Sequence, residues 1–316
     1  MKKLVIIPTY NEINNIGIII NKIINLDLNL DILVVDDNSP DKTYDKVHEL
    51  QKKYKAGVRR FGFINWVGAF NLYIKEVHRF FVVWAQTLLS PLISSLLFLS
   101  VLTLALGDDR GEVLGYPFVA FLAPGLIVMS LISQSFSHSV SSLMISKMQG
   151  NIVDMLHAPL SALEVTLAII LAAVTRSIVI AIISILVFSV IVDLNFYNFF
   201  YILTFGFLGC FILGSLGFIT GLWAEKFDHT ATITNFIVTP LTFLSGTFFT
   251  IDKLPAFFKS ISLMNPFFYI IDGFRYGFLG KSDGSIFFGL IYLSILSFLM
   301  WYLAFYLFKK GYKIKS

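Results

Sequence analysis

The residues of this 316-residue chain best suited to chemistry stand close to its start: Pro8-Thr9-Tyr10-Asn11-Glu12, then Asp36-Asp37-Asn38-Ser39-Pro40-Asp41. Acidic side chains at the C-terminal end of a buried strand are where open α/β sheets place ligand-holding groups. Elsewhere chemistry is sparse. The single cysteine, Cys210, lies in an apolar run, which excludes an intrachain disulfide framework and a Cys-based metal site and reads as a small packing residue. His138 and His229 have no partner at metal-ligand spacing, and no metal is expected. Arg176 interrupts an apolar segment, where a central charge costs about 2.5–3.5 kcal/mol. It should face protein and pair with a carboxylate or carbonyls, or contact a substrate. Glu164 and His157 read as solvated or partner-facing. No Gly-x-x-x-x-Gly-Lys followed by Ser or Thr occurs, so the chain has no loop to cradle ATP phosphates.

The elements that must position the first cluster are short. Leu4–Ile7 reads as a buried strand and Ile13 to Ile24 as an amphipathic helix. Asp31 to Val35 reads as a second strand and Lys42 to Lys55 as a polar helix. Met1-Lys2-Lys3 leads into too few apolar residues for a signal-peptide core, so targeting falls to the first membrane span. The composition then changes. Hydrophobic residues make up 56% of the chain and charged ones 14%, and mean hydropathy is +0.78. Yet 10 of the 24 Lys/Arg and 8 of the 20 Asp/Glu fall within residues 1–60. A soluble segment is joined to a lipid-embedded one at a seam near Lys55, and the +4 net charge reads as membrane topology rather than nucleic-acid affinity.

Six apolar segments follow, at about 81–106, 118–140, 163–192, 196–223, 232–250 and 285–308, each near the ~20 residues needed to cross a bilayer. Arg59, Arg60, Lys75, Arg79, Lys147, Lys226, Lys309, Lys310, Lys313 and Lys315 share one side if both termini are cytoplasmic. The first opposite loop, Gly107 to Glu112, is net acidic, so the positive-inside rule favours that orientation. Lys253, Lys259, Arg275 and Lys281 pull mildly the other way.

Three stretches do not span. Residues 64–80 are amphipathic, with Trp66, Phe70, Leu72, Tyr73 and Val77 apolar and Lys75, Glu76, His78 and Arg79 polar. This predicts a helix in the membrane interface. Asn151 to His157 can form one short cytoplasmic helix closed by Pro159, with Ile152, Met155 and Leu156 as a small apolar face for a groove in a partner. Phe248 to Gly280 is apolar but broken by Pro255, Pro266, Gly273 and Gly277. Broken helices at membrane depth need protein or a cavity around their backbone, which predicts two short re-entrant helices at the outer face.

The first 55 residues resemble the start of family 2 glycosyltransferases, nearest to polyprenol-phosphate mannosyl- and glucosyltransferases. The resemblance gives Pro8, Glu12 and Asp37 the role of holding the nucleotide of a sugar donor. Such a domain needs roughly 200 residues, with a second acidic motif for the metal and a later base. The only other Asp-Asp, Asp108-Asp109, lies between spans, so the fragment is expected to be inactive. Residues 58–316 resemble an ABC-2 type transporter permease. The resemblance is carried by Arg60-Phe61-Gly62-Phe63-Ile64-Asn65-Trp66, Tyr73 to Phe80, Ala123-Pro124-Gly125, Gly150 to Ser161, Leu244 to Phe249, and Asn265-Pro266-Phe267-Phe268-Tyr269 with Arg275. It implies that Gly150, Asn151, Ile152, Val153, Asp154, Met155, Leu156 and Pro159 form a coupling helix that docks on an ATPase. It also implies that Phe248, Pro266, Tyr269 and Arg275 belong to the re-entrant outer mouth.

The expected fold is an all-α polytopic membrane protein with six transmembrane helices. An N-terminal interfacial helix precedes them, a re-entrant helix pair lies between spans 5 and 6, and a short β-α-β-α soluble stub begins the chain. Residues 1–55 are the glycosyltransferase-like fragment and 56–316 the permease domain. The expected activity is that of a non-enzymatic permease subunit of an ATP-driven exporter in the plasma (inner) membrane, moving a polysaccharide, lipid-linked glycan, drug or other amphiphile. The chain itself is expected to hold no cofactor. ATP and Mg bind a separate ATPase subunit, and the other partners are a second permease, homodimeric or heterodimeric, and the lipid bilayer, with no nucleic acid. The alternative is a membrane-anchored family 2 glycosyltransferase acting on polyprenyl phosphate.

Overall fold

The computed structural model describes residues 3–26, 30–37, 39–53, 64–106 and 111–314. The seam at Lys55, the residues Arg59 to Phe63, Asn38, the loop residues Gly107 to Arg110, and Lys315 lie outside the described residues. The chain divides into two compact units, Met1–Gly62 and Phe63–Ser316.

In the first unit the order is β1 (Lys3–Thr9), α1 (Ile16–Ile24), β2 (Leu30–Asp36) and α2 (Thr43–Lys53), as the sequence predicts. The strands are parallel, with Val5 opposite Ile32 and Ile7 opposite Val34. Because side chains alternate across a strand, Val5, Ile7, Ile32 and Val34 face the helices and pack with Ile16, Ile20, Val47 and Leu50. Leu4, Ile6, Leu33 and Val35 point the other way and are exposed. Parallel sheets in α/β folds are covered on both faces. Among the described residues this unit covers one.

The second unit begins with α3 (Trp66–Val82), then α4 (Ser90–Leu106), a two-strand hairpin of β3 (Glu112–Val113) and β4 (Tyr116–Pro117), and α5 (Phe118–Met148). The short α6 (Ile152–His157) leads to α7 (Ala162–Phe188), α8 (Phe199–Trp223), α9 (Phe227–Ile233), α10 (Thr239–Phe243), α11 (Ala256–Met264), α12 (Pro266–Leu279) and α13 (Ile286–Lys309). Five helical stretches are long and apolar enough to cross a membrane: Ala85–Ala105, Phe118–Met148, Ala162–Phe188, Phe199–Trp223 and Ile286–Lys309. The most apolar window of α5 is 72% buried, whereas those of α4 and α13 are 17% buried. So α5, with α7 and α8, is the core, and the other two leave most of their apolar side chains uncovered by the rest of this chain.

Lipid tails are as apolar as Leu, so close backbone approach and polar ties hold such a core together. Ser135 Oγ donates to the Cys210 carbonyl oxygen at 2.6 Å. Beside it α8 meets α5 through Gly217, where a Cβ would fall on the Phe136 carbonyl oxygen far inside contact distance. Gly217→Val should therefore force the two helices apart. The expected result is loss of a monodisperse detergent-extracted protein, read by size-exclusion chromatography. A wild-type profile would refute the packing.

The expected fifth span, 232–250, is not among the five. It is helical only to Phe243 and is interrupted by a π-helical turn at Thr234–Val238. The cause is Pro240, which has no N–H for the Phe236 carbonyl and displaces the ladder before it. The same device opens α4: a π turn at Ala85–Leu89 precedes Pro91, which leaves the Thr87 carbonyl without its helical donor. At membrane depth such a carbonyl needs another partner, and Arg176 Nη2 reaches it at 3.5 Å. As expected, two short helices, α11 and α12, lie between residues 250 and 280.

Candidate functional site

The loop between α5 and α7 is built by its ends. Gly150, at φ +76°, follows the last turn of α5, and Ser161 starts α7 with a reciprocal capping box to Glu164. Between them α6 is one and a half turns long, too short to bury two faces. Ile152 and Met155 turn inward and share a buried cluster with Leu72, Leu143 and Val165. Val153 and Leu156 are 46% and 41% exposed, flanked by exposed Met148, Asn151, Asp154, His157 and Pro159. Of the face expected from Ile152, Met155 and Leu156, only Leu156 is presented outward, because the other two anchor the loop.

Polar ties fix the same end of the bundle. Lys147 Nζ donates to the carbonyls of Leu222 at 2.9 Å and Ala224 at 2.7 Å, a cation on the last turn of α8. Lys313 bonds Glu225 at 2.8 Å, and this bond holds the Glu225 carboxyl below its ordinary pKa. Glu164, expected to be solvated or partner-facing, is 4% exposed. Its carboxylate accepts the backbone N–H of Asn65 at 2.5 Å and of Ser161 at 2.6 Å. The Ser161-x-x-Glu164 spacing signals the capping box in sequence; the bond to Asn65 has no local signal.

In α3 the polar face is also revised. Leu72, Glu76 and Phe80 face the bundle, while Trp66 and Phe70 are exposed. Glu76 pairs with Arg79 at 3.0 Å and accepts from Ser142 Oγ at 2.8 Å. Arg176 is buried against Gln134 Oε1 and the Thr87 carbonyl, a protein-facing arrangement.

At the other end of α5, the Leu244–Phe249 turn and α12 are stitched together. Asn265 caps α12 by accepting from Phe267 N at 3.0 Å, and its amide donates to the Leu241 carbonyl at 2.7 Å. Pro266 occupies the first helical position, where its missing N–H costs nothing. Arg275 Nη2 donates to the carbonyls of Gly246 at 3.0 Å and Thr247 at 3.2 Å, and its guanidinium carbon lies 3.8 Å from the Phe121 ring centroid. Phe248 stacks on Phe243, and Tyr269 packs against Phe268, Phe288 and Tyr292. Asp272, a charge within the broken Phe248–Gly280 stretch to which the sequence assigns no role, accepts from Asp283 N and Gly284 N at 2.9 Å each and ties the loop that follows α12.

In the first unit, Pro8 and Glu12 line a cleft of about 390 Å³ together with Ile7, Thr9, Asn15, Ile16, Ile18 and Ile19. Asp37 is exposed and is not part of that lining. Instead Asp36, Asp41 and Thr43 lace the two loops, with Asn11 N donating to Ser39 Oγ and Ile13 N to Asp41 Oδ2, both at 3.0 Å. The Ser39 hydroxyl holds Asp36 below the usual carboxylate pKa. At Asp41 desolvation raises the pKa, and the bonds from Thr43 and Ile13 outweigh it. Among the described residues no three His, Cys, Asp or Glu side chains gather so as to hold a metal ion.

This arrangement of spanning helices, a loop helix at one end and a stitched turn at the other coincides with a match to the ABC-2 type transporter family over residues 69–279. The chain belongs to that family. It is 31% identical over 235 residues to the inner membrane transport permease YadH of Escherichia coli, which covers 74% of this chain and 92% of YadH. It is 24% identical to nodulation protein J of Rhizobium leguminosarum bv. viciae, over 71% of this chain and 86% of that protein. The body of the chain is thus a multi-pass membrane permease. Residues 4–84 match glycosyl transferase family 2. Over 62 residues the chain is 50% identical to dolichol-phosphate mannosyltransferase of Pyrococcus furiosus, but this spans only 18% of that enzyme. The two family matches overlap at α3, which packs within the permease unit.

Proposed function

We propose that this chain is the permease subunit of an ATP-driven exporter in the inner membrane, docked through α6 on a separate ATPase subunit. The observation that carries the reading is the division of labour in α6: Ile152 and Met155 anchor it while Val153 and Leu156 stand outward at a ring of secured helix ends. A solvent loop has no need of an outward apolar pair on an anchored helix, whereas a partner's groove does. The family match and the lack of an ATP-binding loop in the sequence support a motor on another chain.

In this reading α9–α10 and the turn after them make the sixth crossing, and α11 and α12 dip into the membrane from the outer face. Both termini are cytoplasmic, and two permeases enclose the path. Closure of the ATPases moves α6 and rocks the halves outward. The cargo is an amphiphile, with a lipid-linked glycan or polysaccharide among the candidates.

The first unit is inactive in this proposal. Among the described residues it supplies two strands and one bare sheet face, its sequence holds no second acidic motif, and the match covers under a fifth of the mannosyltransferase it resembles. The test is affinity purification of the tagged permease from its native membranes. A vanadate-sensitive ATPase is expected to co-purify, and deletion of residues 2–55 should leave its yield and ATP hydrolysis unchanged. A permease recovered without ATPase activity would contradict the assignment. Transfer of sugar from a nucleotide-sugar to polyprenyl phosphate by the full chain would contradict the inactive fragment.

A further inference from the structure

Between α6 and α3 the polar groups converge on one carboxylate. Glu164 already serves α7 through its capping box, in which one oxygen accepts Ser161 N at 2.6 Å. A capping box asks nothing more of that side chain. Its other oxygen nevertheless accepts the N–H of Asn65, at the start of α3, at 2.5 Å. Asn65 completes the joint from its own side. Its amide nitrogen donates to the Pro159 carbonyl at 3.0 Å, and its amide oxygen caps α3 by accepting Gly68 N at 2.9 Å. Apolar packing closes over these bonds: a Cβ on Gly68 would lie 2.6 Å from Asn65 Nδ2 and 2.8 Å from Leu160 Cδ2. Both Asn65 and Glu164 are buried. Farther along, α3 is held to α5 by Glu76 with Ser142, and to α7 by Tyr73 with Thr175 at 2.8 Å.

We infer that Glu164 and Asn65 form a transmission joint, through which a displacement of the α6 loop is passed to the interfacial helix α3. The inference rests on the proposed docking of α6. Charge-assisted bonds from two separate backbone segments to one carboxylate give the loop exit and the α3 start no independent freedom. Glu164 and Asn65 are thus positioning residues, touching neither nucleotide nor cargo.

The test uses the full permease purified with its ATPase in lipid nanodiscs. A reporter cysteine is placed at exposed Phe70 on α3, against the fully buried Cys210. Maleimide labelling is followed with and without Mg-ATP and vanadate. In the wild-type background the labelling rate should change on nucleotide trapping. Glu164→Gln keeps the shape but has one oxygen for two N–H donors. With ATPase yield and hydrolysis retained, the nucleotide-dependent change should shrink by about fivefold or more, the low end of coupling between sites. Asn65→Ser retains an N-cap and drops the tie to Pro159, and should shrink the change less.

A wild-type-sized response in Glu164→Gln overturns the joint while leaving the docking intact. No nucleotide response in the wild-type background also overturns the inference, because α3 then receives no displacement, whereas the docking of α6 is decided separately by whether the ATPase co-purifies. Failure of both variants to assemble makes the joint a folding element, and that too overturns the inference.

Discussion

Replacing Val153 and Leu156 together by Asp is expected to release the ATPase from the permease, with affinity falling by tenfold or more. Each side chain is nearly half exposed in the permease alone, so a groove that covers it gains apolar burial. Full burial of such a side chain is worth about 1.5–3 kcal/mol, and half of that from two residues already exceeds the ~1.4 kcal/mol of a tenfold change. The introduced carboxylates would in addition be desolvated without partners. Neither residue supports the fold from within, because the buried side of α6 is Ile152 and Met155. The double variant should therefore extract and chromatograph like the wild type while losing the co-purifying ATPase. Truncating Ile152 and Met155 to Ala tests something else, since a cavity in a shared cluster lowers stability before it touches docking. Retention of a full complement of ATPase by V153D/L156D would refute α6 as the docking element.

A one-dimensional pattern captures the physics that acts locally along the chain. Hydropathy over twenty residues locates five spans because the bilayer enforces length and apolarity directly. At 232–250 the hydropathy is that of a span, but Pro240 breaks the ladder, so no single long helix forms there. The inversion of α3 is more instructive. In water a charged side chain marks the outer face, and that rule puts Glu76 outward. Against a membrane the outward medium is partly lipid, so Trp66 and Phe70 go out, and Glu76 goes in to Arg79 and Ser142. Glu164 eluded the reading for a related reason. Its local role is written in Ser161-x-x-Glu164, but its second partner is 99 residues away, a distance no local pattern spans. Arg176 was legible because a charge in an apolar run must find acceptors, although the pattern did not name Gln134 or the carbonyl freed by Pro91.

The same accounting makes Arg275→Met the most damaging single change expected at the opposite end. Arg275 is 1% exposed on α12, and its guanidinium is shared among the Gly246 and Thr247 carbonyls and the face of Phe121. Methionine fills much of the volume but donates nothing, so two carbonyls of a tight turn lose a buried donor at about 1–3 kcal/mol each. The stack on Phe121 is lost as well. The unfolding midpoint of the detergent-extracted protein should fall by about 5 °C or more. Arg275→Lys should lie between, because a lone ammonium on a flexible stem cannot keep the planar stack while reaching both oxygens. Phe121 and Met148 lie near opposite ends of α5, which at 1.5 Å per residue separates them by about 40 Å. Damage at Arg275 should therefore leave ATPase capture intact at temperatures where the variant is folded, whereas V153D/L156D should do the reverse, losing capture at an unchanged midpoint. An R275M midpoint within about 1 °C of wild type would mean that the Gly246 and Thr247 carbonyls find their donors elsewhere, and would refute Arg275 as the group that holds the Leu244–Phe249 turn.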